Sequence, residues 1–218
     1  MADAPAPTTI AIDVYSDIIC PWCYIGHRRL ATALAALPAE TAVRVTFRPF
    51  QLDPGAPEVA EPLHARLARK FGARAGSVLA QVTQQAEAEG LDMRWDRAQS
   101  VNTRTAHRLL EWVRRTHGTA AQLQVLDALF RLYFTDGGNV ADLDQLAAAA
   151  GRAGLDTDAV RTYLASDDGL EALEAAFAQA RRLGVEAVPT FVIDGRYAIQ
   201  GAQPAAVMLD AIQRTTAG

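Results

Sequence analysis

The sequence predicts an α/β fold with a long helical block in its middle, and three observations lead there. Strand-like runs occur only near the two ends, at residues 9–15, 43–50 and 185–201. Between about Pro62 and Gly184 the pattern is helical, with no convincing strand. Alanine makes up 44 of the 218 residues, a composition that favours helix over sheet.

The elements follow in order. Residues 9–15 alternate and are β-branched, which reads as a first strand, and Ile25, Leu30, Leu34 and Leu37 then recur at near-helical spacing. A second strand over 43–50 completes a β-α-β unit, whose crossover length implies parallel pairing. Pro49, Pro54, Pro57 and Pro62 break the pattern after it. Helical segments are expected near 63–72, 76–90, 101–117, 120–135, 142–150, 156–166 and 169–183, with Asp142 and Asp156 as caps and Gly118, Gly137, Gly138 and Gly154 as breaks. Within this block Leu123, Leu126, Leu129, Phe130, Tyr133 and Phe134 form an apolar stripe that reads as core. Two short apolar runs around Asp194-Gly195 read as a β-hairpin, and residues 204–214 as a closing helix.

Composition removes several classes of function. A net charge of −4 and a single lysine, Lys70, among 21 basic residues offer nucleic acid a mildly repulsive average field. Apolar runs are short and interrupted by charge, and the Ala-Pro segment of the first seven residues has neither the basic region nor the hydrophobic core of a signal peptide, so a soluble, unexported protein is expected.

Chemistry concentrates in the only two cysteines, Cys20 and Cys23, which form Cys-Pro-Trp-Cys. A bridge closing so short a loop restricts little of the unfolded chain, so the pair reads as reactive. Zinc is the chemical rival, but His27, His64, His107 and His117 are scattered without ligand spacing, and no metal is expected. Pro21 suits a first helical turn, which puts Cys20 at or beside the N-cap of a helix that begins where a strand ends. Lowering a thiol pKa from its ordinary value near 8.5 requires about 1.4 kcal/mol per unit. The helix macrodipole supplies only about 0.3–2 kcal/mol. The Cys20 sulfur is therefore expected to face the unsatisfied N–H groups of that turn. Cys20 is then the nucleophile and Cys23, one turn on and behind Trp22, the resolving thiol. Trp22 reads equally as a shield or partner contact and as plain packing. Asp17, three residues before Cys20, reads as a modulator of the thiol or as a solvated turn or N-cap residue.

Three segments in order along the chain, Ser16-Asp17-Ile-Ile-Cys20-Pro-Trp-Cys23-Tyr-Ile-Gly26, Asn102-Thr-Arg-Thr-Ala-His107-Arg-Leu-Leu110 and Gly184-Val-Glu-Ala-Val-Pro189-Thr-Phe, resemble the FrnE-like branch of the DsbA family of thiol-disulfide oxidoreductases. The resemblance implies a thioredoxin-like fold with a large all-helical insertion: residues 1–61 and 169–218 make the thioredoxin-like domain and 62–168 the insertion. It implies a Cys20–Cys23 dithiol/disulfide acting on client protein or small-molecule disulfides and thiols in the cytoplasm. It also implies a cis Val188–Pro189 bond against the cysteines, with the Val188 main chain bonding a substrate peptide or glutathione. Asn102 and His107 lie on its middle motif and are expected to wall the substrate groove; from the residues alone, Asn102 reads equally as a helix cap and His107 as a packed or exposed ring. No tightly bound cofactor, nucleic acid or membrane partner is implied, while glutathione stays open as redox partner or co-substrate. The 2-hydroxychromene-2-carboxylate isomerases and kappa-class glutathione transferases are similar but typically carry serine at the position of Cys20. Both cysteines being present here favours electron transfer through an internal dithiol. Two alternatives remain at this stage: a glutathione-dependent isomerase or transferase of a small aromatic or polyketide substrate, and a redox-switched client-binding chaperone module.

Overall fold

Alternation in the first strand has a direct structural counterpart in the computed structural model, which describes residues 9–216 and leaves the N-terminal Ala-Pro segment outside the described residues. In β1 (Ile10–Ser16), Ile10, Ile12 and Val14 point to one face of the sheet. There they meet Leu30 and Ala33 of α1 (Pro21–Ala35) and Met208 and Ile212 of α8 (Ala205–Thr216). β2 (Val43–Pro49) runs parallel to β1 with Val14 opposite Phe47, as the crossover length requires. β5 (Thr190–Ile193) lies antiparallel on the other side of β1, and β6 (Tyr197–Gln200) pairs antiparallel with β5, giving the order β2-β1-β5-β6. The hairpin turns at Asp194 and Gly195, both with positive φ.

The helical block comprises α2 (Leu63–Phe71), α3 (Ala75–Ala88), α4 (Arg104–Phe130), α5 (Leu143–Arg152), α6 (Thr157–Ala165) and α7 (Leu170–Arg182). Gly118 breaks α4 into two helices at φ 86° and ψ 176°, and Arg131–Thr135 continues the second in wider π-helical turns. Asp142 accepts from the Gln145 N–H, and Asp156 from those of Asp158 and Ala159, so both carry out the capping their positions predict. One expectation fails. A two-residue antiparallel bridge, β3 (Glu61–Pro62) with β4 (Gln99–Ser100), lies inside the stretch that reads as strand-free. Two residues carry no period for a sequence pattern to show.

Two apolar clusters divide the core. One lies between the sheet and the α1–α8 pair. The other joins Cys20, Cys23, Tyr24 and Ile25 of the α1 segment to Leu109, Leu110, Leu126, Leu129, Phe130 and Phe134 of the helical block. The start of α1 is thus packed against the insertion. Arg29 reinforces the junction, donating to Glu89 at 2.6 Å, to Gln85 at 2.9 Å and to the Ala202 carbonyl at 2.6 Å. Elsewhere in the block, Arg108 caps the end of α6 by donating to the Leu164 and Ser166 carbonyls, both at 2.6 Å.

The outer edge of β2 shows how the insertion completes the sheet. Gln122, fully buried on α4, accepts from the Phe47 N–H at 3.1 Å and donates to the Phe47 carbonyl at 3.1 Å and the Leu110 carbonyl at 3.2 Å. Its amide stands in for a neighbouring strand on an edge that would otherwise bury unpaired peptide groups. Replacing Gln122 by Leu leaves both Phe47 groups unsatisfied and is predicted to lower stability by about 2–4 kcal/mol. Urea denaturation checks this; a midpoint unchanged from wild type would contradict it.

Candidate active site

The end of β1 leads through residues 17–19 into α1, and this turn carries both sulfurs. Cys20 is the N-cap, with extended backbone, and Pro21 occupies the first helical position. The Cys23 and Tyr24 N–H groups donate to the Cys20 carbonyl at 3.0 and 3.3 Å. No acidic side chain lies in the first turn, and no side chain caps it. The expected contact between the Cys20 sulfur and the first-turn N–H groups is therefore corrected: its thiol instead faces the Val188 carbonyl at 3.9 Å. The chain reaches that carbonyl from the opposite end, 168 residues later.

Three contacts hold the loop that presents Val188. Thr190 donates its hydroxyl to the Ala187 carbonyl at 2.7 Å, and the Gly201 N–H donates to the Pro189 carbonyl at 2.8 Å. The Val188–Pro189 peptide is cis. Gly26 supplies the third contact through what it lacks. A Cβ there would lie 3.0 Å from Pro189 Cγ and 3.1 Å from Phe191 Cζ, so any larger residue would make its neighbours give by a few tenths of an ångström.

Both cysteines are free thiols and nearly closed off, Cys20 at 3% exposure and Cys23 at 1%. Exposure therefore does not distinguish the two thiols, while their neighbours differ. Cys20 lies beside the half-buried Ile19, Pro21, Trp22 and Val188. Cys23 lies inward, against Cys20, Ser16 and Asp17, and burial pushes its thiol well up, with the neighbouring Cys20 adding to the rise. The Asp17 N–H, which reaches the Cys23 sulfur at 3.5 Å, acts in the opposite direction.

Asp17 is not the solvated turn residue that the sequence allows. Its exposure is 0%, and three elements meet on it. One carboxylate oxygen accepts from the Leu52 N–H at 2.7 Å, and the other lies 3.0 Å from His107 Nε2. Its own carbonyl accepts from the Cys20 N–H at 3.1 Å. His107, also at 0% exposure, forms no groove wall: its ring stacks on Phe47 at 5.7 Å and meets Phe177 edge-on at 5.6 Å. Asn102 is likewise taken up by the fold. It accepts from the Gln51 side chain and the Arg104 N–H, both at 2.9 Å, and donates to the Pro54 carbonyl at 3.2 Å. This fastens the loop after β2 to the start of α4, whose N-cap is Thr103 rather than Asn102. That loop carries Leu52 and Val59 outward, at 51% and 83% exposure.

The structure thus brings Asp17, Cys20, Cys23, Val188 and Pro189 together and sets Trp22 beside them; His107 lies fully buried against Asp17, and Asn102, half-buried, ties the loop after β2 to the start of α4. Sequence reasoning missed Ser16, Gly26 and the pairing of Asp17 with His107. The first two stand inside the quoted cysteine motif. The third joins residues 90 positions apart, which no local pattern displays. Among the described residues no group of three or more His, Cys, Asp or Glu side chains is arranged to hold a metal ion, and no helix is long and apolar enough to cross a membrane.

The raised pKa of Cys23 makes reduced-state stability depend on alkaline pH. With the thiol pKa well above its ordinary value in the folded chain, the folded state holds that proton more tightly than the unfolded state. The contribution is complete below the ordinary value and fades as pH climbs through the folded one. Reduced wild type is therefore predicted to lose stability relative to reduced Cys23→Ala as pH rises above about 9. Urea denaturation at stepped pH measures this, and a constant difference across the range would contradict it.

The whole architecture has counterparts among known proteins. A protein of Streptomyces coelicolor described as a probable DsbA oxidoreductase is 35% identical and superposes with a TM-score of 0.87 over 95% of this chain and 90% of its own. The cytosolic disulfide reductase DsbM of Pseudomonas aeruginosa, solved with GSH, is 17% identical with a TM-score of 0.65, over 94% of this chain and 99% of its own. A 2-hydroxychromene-2-carboxylate isomerase shares the fold at 17% identity and a TM-score of 0.69, over 94% and 96%. Residues 11–213 match the DSBA-like thioredoxin domain, a span that runs from β1 to α8 and takes in both cysteines, and the chain belongs to that family.

Proposed function

We propose that this protein is a thiol-disulfide oxidoreductase that cycles a Cys20–Cys23 disulfide on protein or low-molecular-weight clients. The observation that carries this reading is the placement of two free thiols one helical turn apart at the start of α1, with unequal surroundings. Cys20 sits at the positive end of a helix, beside the half-buried residues through which a client would approach. Cys23 lies behind it, in contact, where only an intramolecular attack is sterically simple.

When a client is oxidised, a client thiolate attacks Cys20 of the enzyme disulfide and Cys23 leaves carrying the electron pair. A second client thiolate then attacks the mixed disulfide, forming the client disulfide and leaving both enzyme cysteines reduced. Reduction of a client disulfide runs the same steps backwards. The Val188 loop supplies a peptide surface beside the sulfur. Trp22, half-buried against the same cluster, borders it. Glutathione is the small thiol partner proposed, in the cytoplasm; the likeness to a cytosolic reductase solved with GSH supports both.

The test is redox equilibration across reduced-to-oxidised glutathione ratios, with thiol alkylation and mass spectrometry to count free cysteines. A single reversible transition that converts both thiols together is expected, and either Cys→Ser replacement should abolish it. Absence of an intramolecular disulfide at every ratio would contradict the reading.

A further inference from the structure

His107 is fully buried, belongs to the helical insertion, and touches neither cysteine, yet its one polar contact is with the residue that touches both. That residue, Asp17, divides its groups between two sides. Both carboxylate oxygens face away from α1, towards the Leu52 N–H and His107 Nε2. Both main-chain groups face α1, the N–H at the Cys23 sulfur and the carbonyl at the Cys20 N–H. The side chain is held by distant elements while the backbone serves the dithiol.

The His107 ring shows which way the contact with Asp17 runs. Its Nδ1 is buried with no hydrogen-bond partner, and Phe47 and Phe177 occupy its surroundings. A proton on Nδ1 would be an N–H without an acceptor, which costs more than an unused lone pair. Nε2 therefore carries a proton and donates it to the Asp17 carboxylate. Nothing else on the ring competes for it.

We infer that His107 is a positioning residue for dithiol exchange. By donating from Nε2 to Asp17 Oδ1, it fixes the turn so that the Asp17 main-chain N–H meets the Cys23 sulfur when that sulfur carries negative charge. This rests on the dithiol reading above and deepens it. The demand arises in one step. With a client R joined to Cys20 as a mixed disulfide, Cys23 gives up its proton to the medium and attacks Cys20 Sγ. The Cys20–Cys23 bond forms, the bond from Cys20 to R breaks, and R departs as thiolate with the electron pair. Burial opposes the Cys23 thiolate, and the Asp17 N–H is a donor already aimed at it. Capture of the client by Cys20 does not pass through that anion and should be far less sensitive.

Dithiobis(nitrobenzoate) separates the two steps, because reduced protein releases one coloured nitrobenzoate thiolate on capture at Cys20 and a second on resolution by Cys23. His107→Leu is expected to change the capture phase by less than about twofold and to slow the resolution phase by about tenfold or more, the effect of losing one hydrogen bond on a charge-bearing arrangement. His107→Gln, whose amide places an N–H near the position of Nε2, is expected to resolve within about threefold of wild type. A packing role would not be rescued by Gln in this way. Resolution at the wild-type rate in His107→Leu, equal slowing of both phases, or a Gln variant as slow as Leu would each overturn the inference. Should the Leu variant not fold, His107→Met serves as the non-donor. Wild type releasing only one thiolate per chain would overturn the dithiol reading itself, a result distinct from all of these.

Discussion

A carboxylate with no solvent around it governs the arrangement of this site. Asp17 is buried among protein groups, and among the described residues no arginine pairs with it; its side-chain partners there are a peptide N–H and an imidazole. Stripping a carboxylate of water costs several kcal/mol unless donors replace the water, so those donors must be in place whenever the chain is folded. Leu52 supplies one from the loop after β2, and His107 supplies the other from α4. The end of β1, the loop that follows β2 and the helical insertion are therefore joined at one residue. The two cysteines hang from the other side of it.

The chemistry of the dithiol follows from that attachment. Its two sulfurs are almost equally hidden, so the different roles proposed for them rest on orientation and partners. Cys20 faces the Val188 carbonyl, while Cys23 is turned inward against Cys20, Ser16 and the Asp17 N–H. The insertion takes part in this directly. It provides the apolar cluster in which Cys23 is desolvated, the Gln122 amide that finishes the edge of β2, and the ring that holds Asp17. A helical block that reads from the sequence as an addition to a smaller fold is part of the reactive centre.

Much of this was legible before any coordinates. Alternation located β1 and β2, the Gly118 break and the Asp142 and Asp156 caps outlined the helices, and Pro21 placed Cys20 at a helix start, all signals carried within a few residues. Failures came where a residue's role depends on a distant partner. Asp17 reads either as a modulator of the thiol or as a solvated turn or N-cap residue, and the second alternative fails because nothing near it in sequence announces burial and its donors lie 35 and 90 positions away. His107 and Asn102 belong to a recognisable motif, but the motif does not say on which side of the site its residues fall. The contact of the Cys20 sulfur failed for a related reason: a helix N-cap offers N–H groups, and only the fold brings the competing Val188 carbonyl from the far end of the chain.

The division of labour between the two sulfurs is the centre of this picture, and one measurement addresses it without any kinetic assumption. Cys23→Ser and Cys20→Ser variants, each incubated with glutathione disulfide, would be digested and the site of the glutathione adduct read by mass spectrometry. Glutathione carried on Cys20 of the first variant, and little or none on Cys23 of the second, is the predicted result. Equal labelling of both, or labelling of Cys23 alone, would show that the burial and contacts described here do not decide which thiol meets the client.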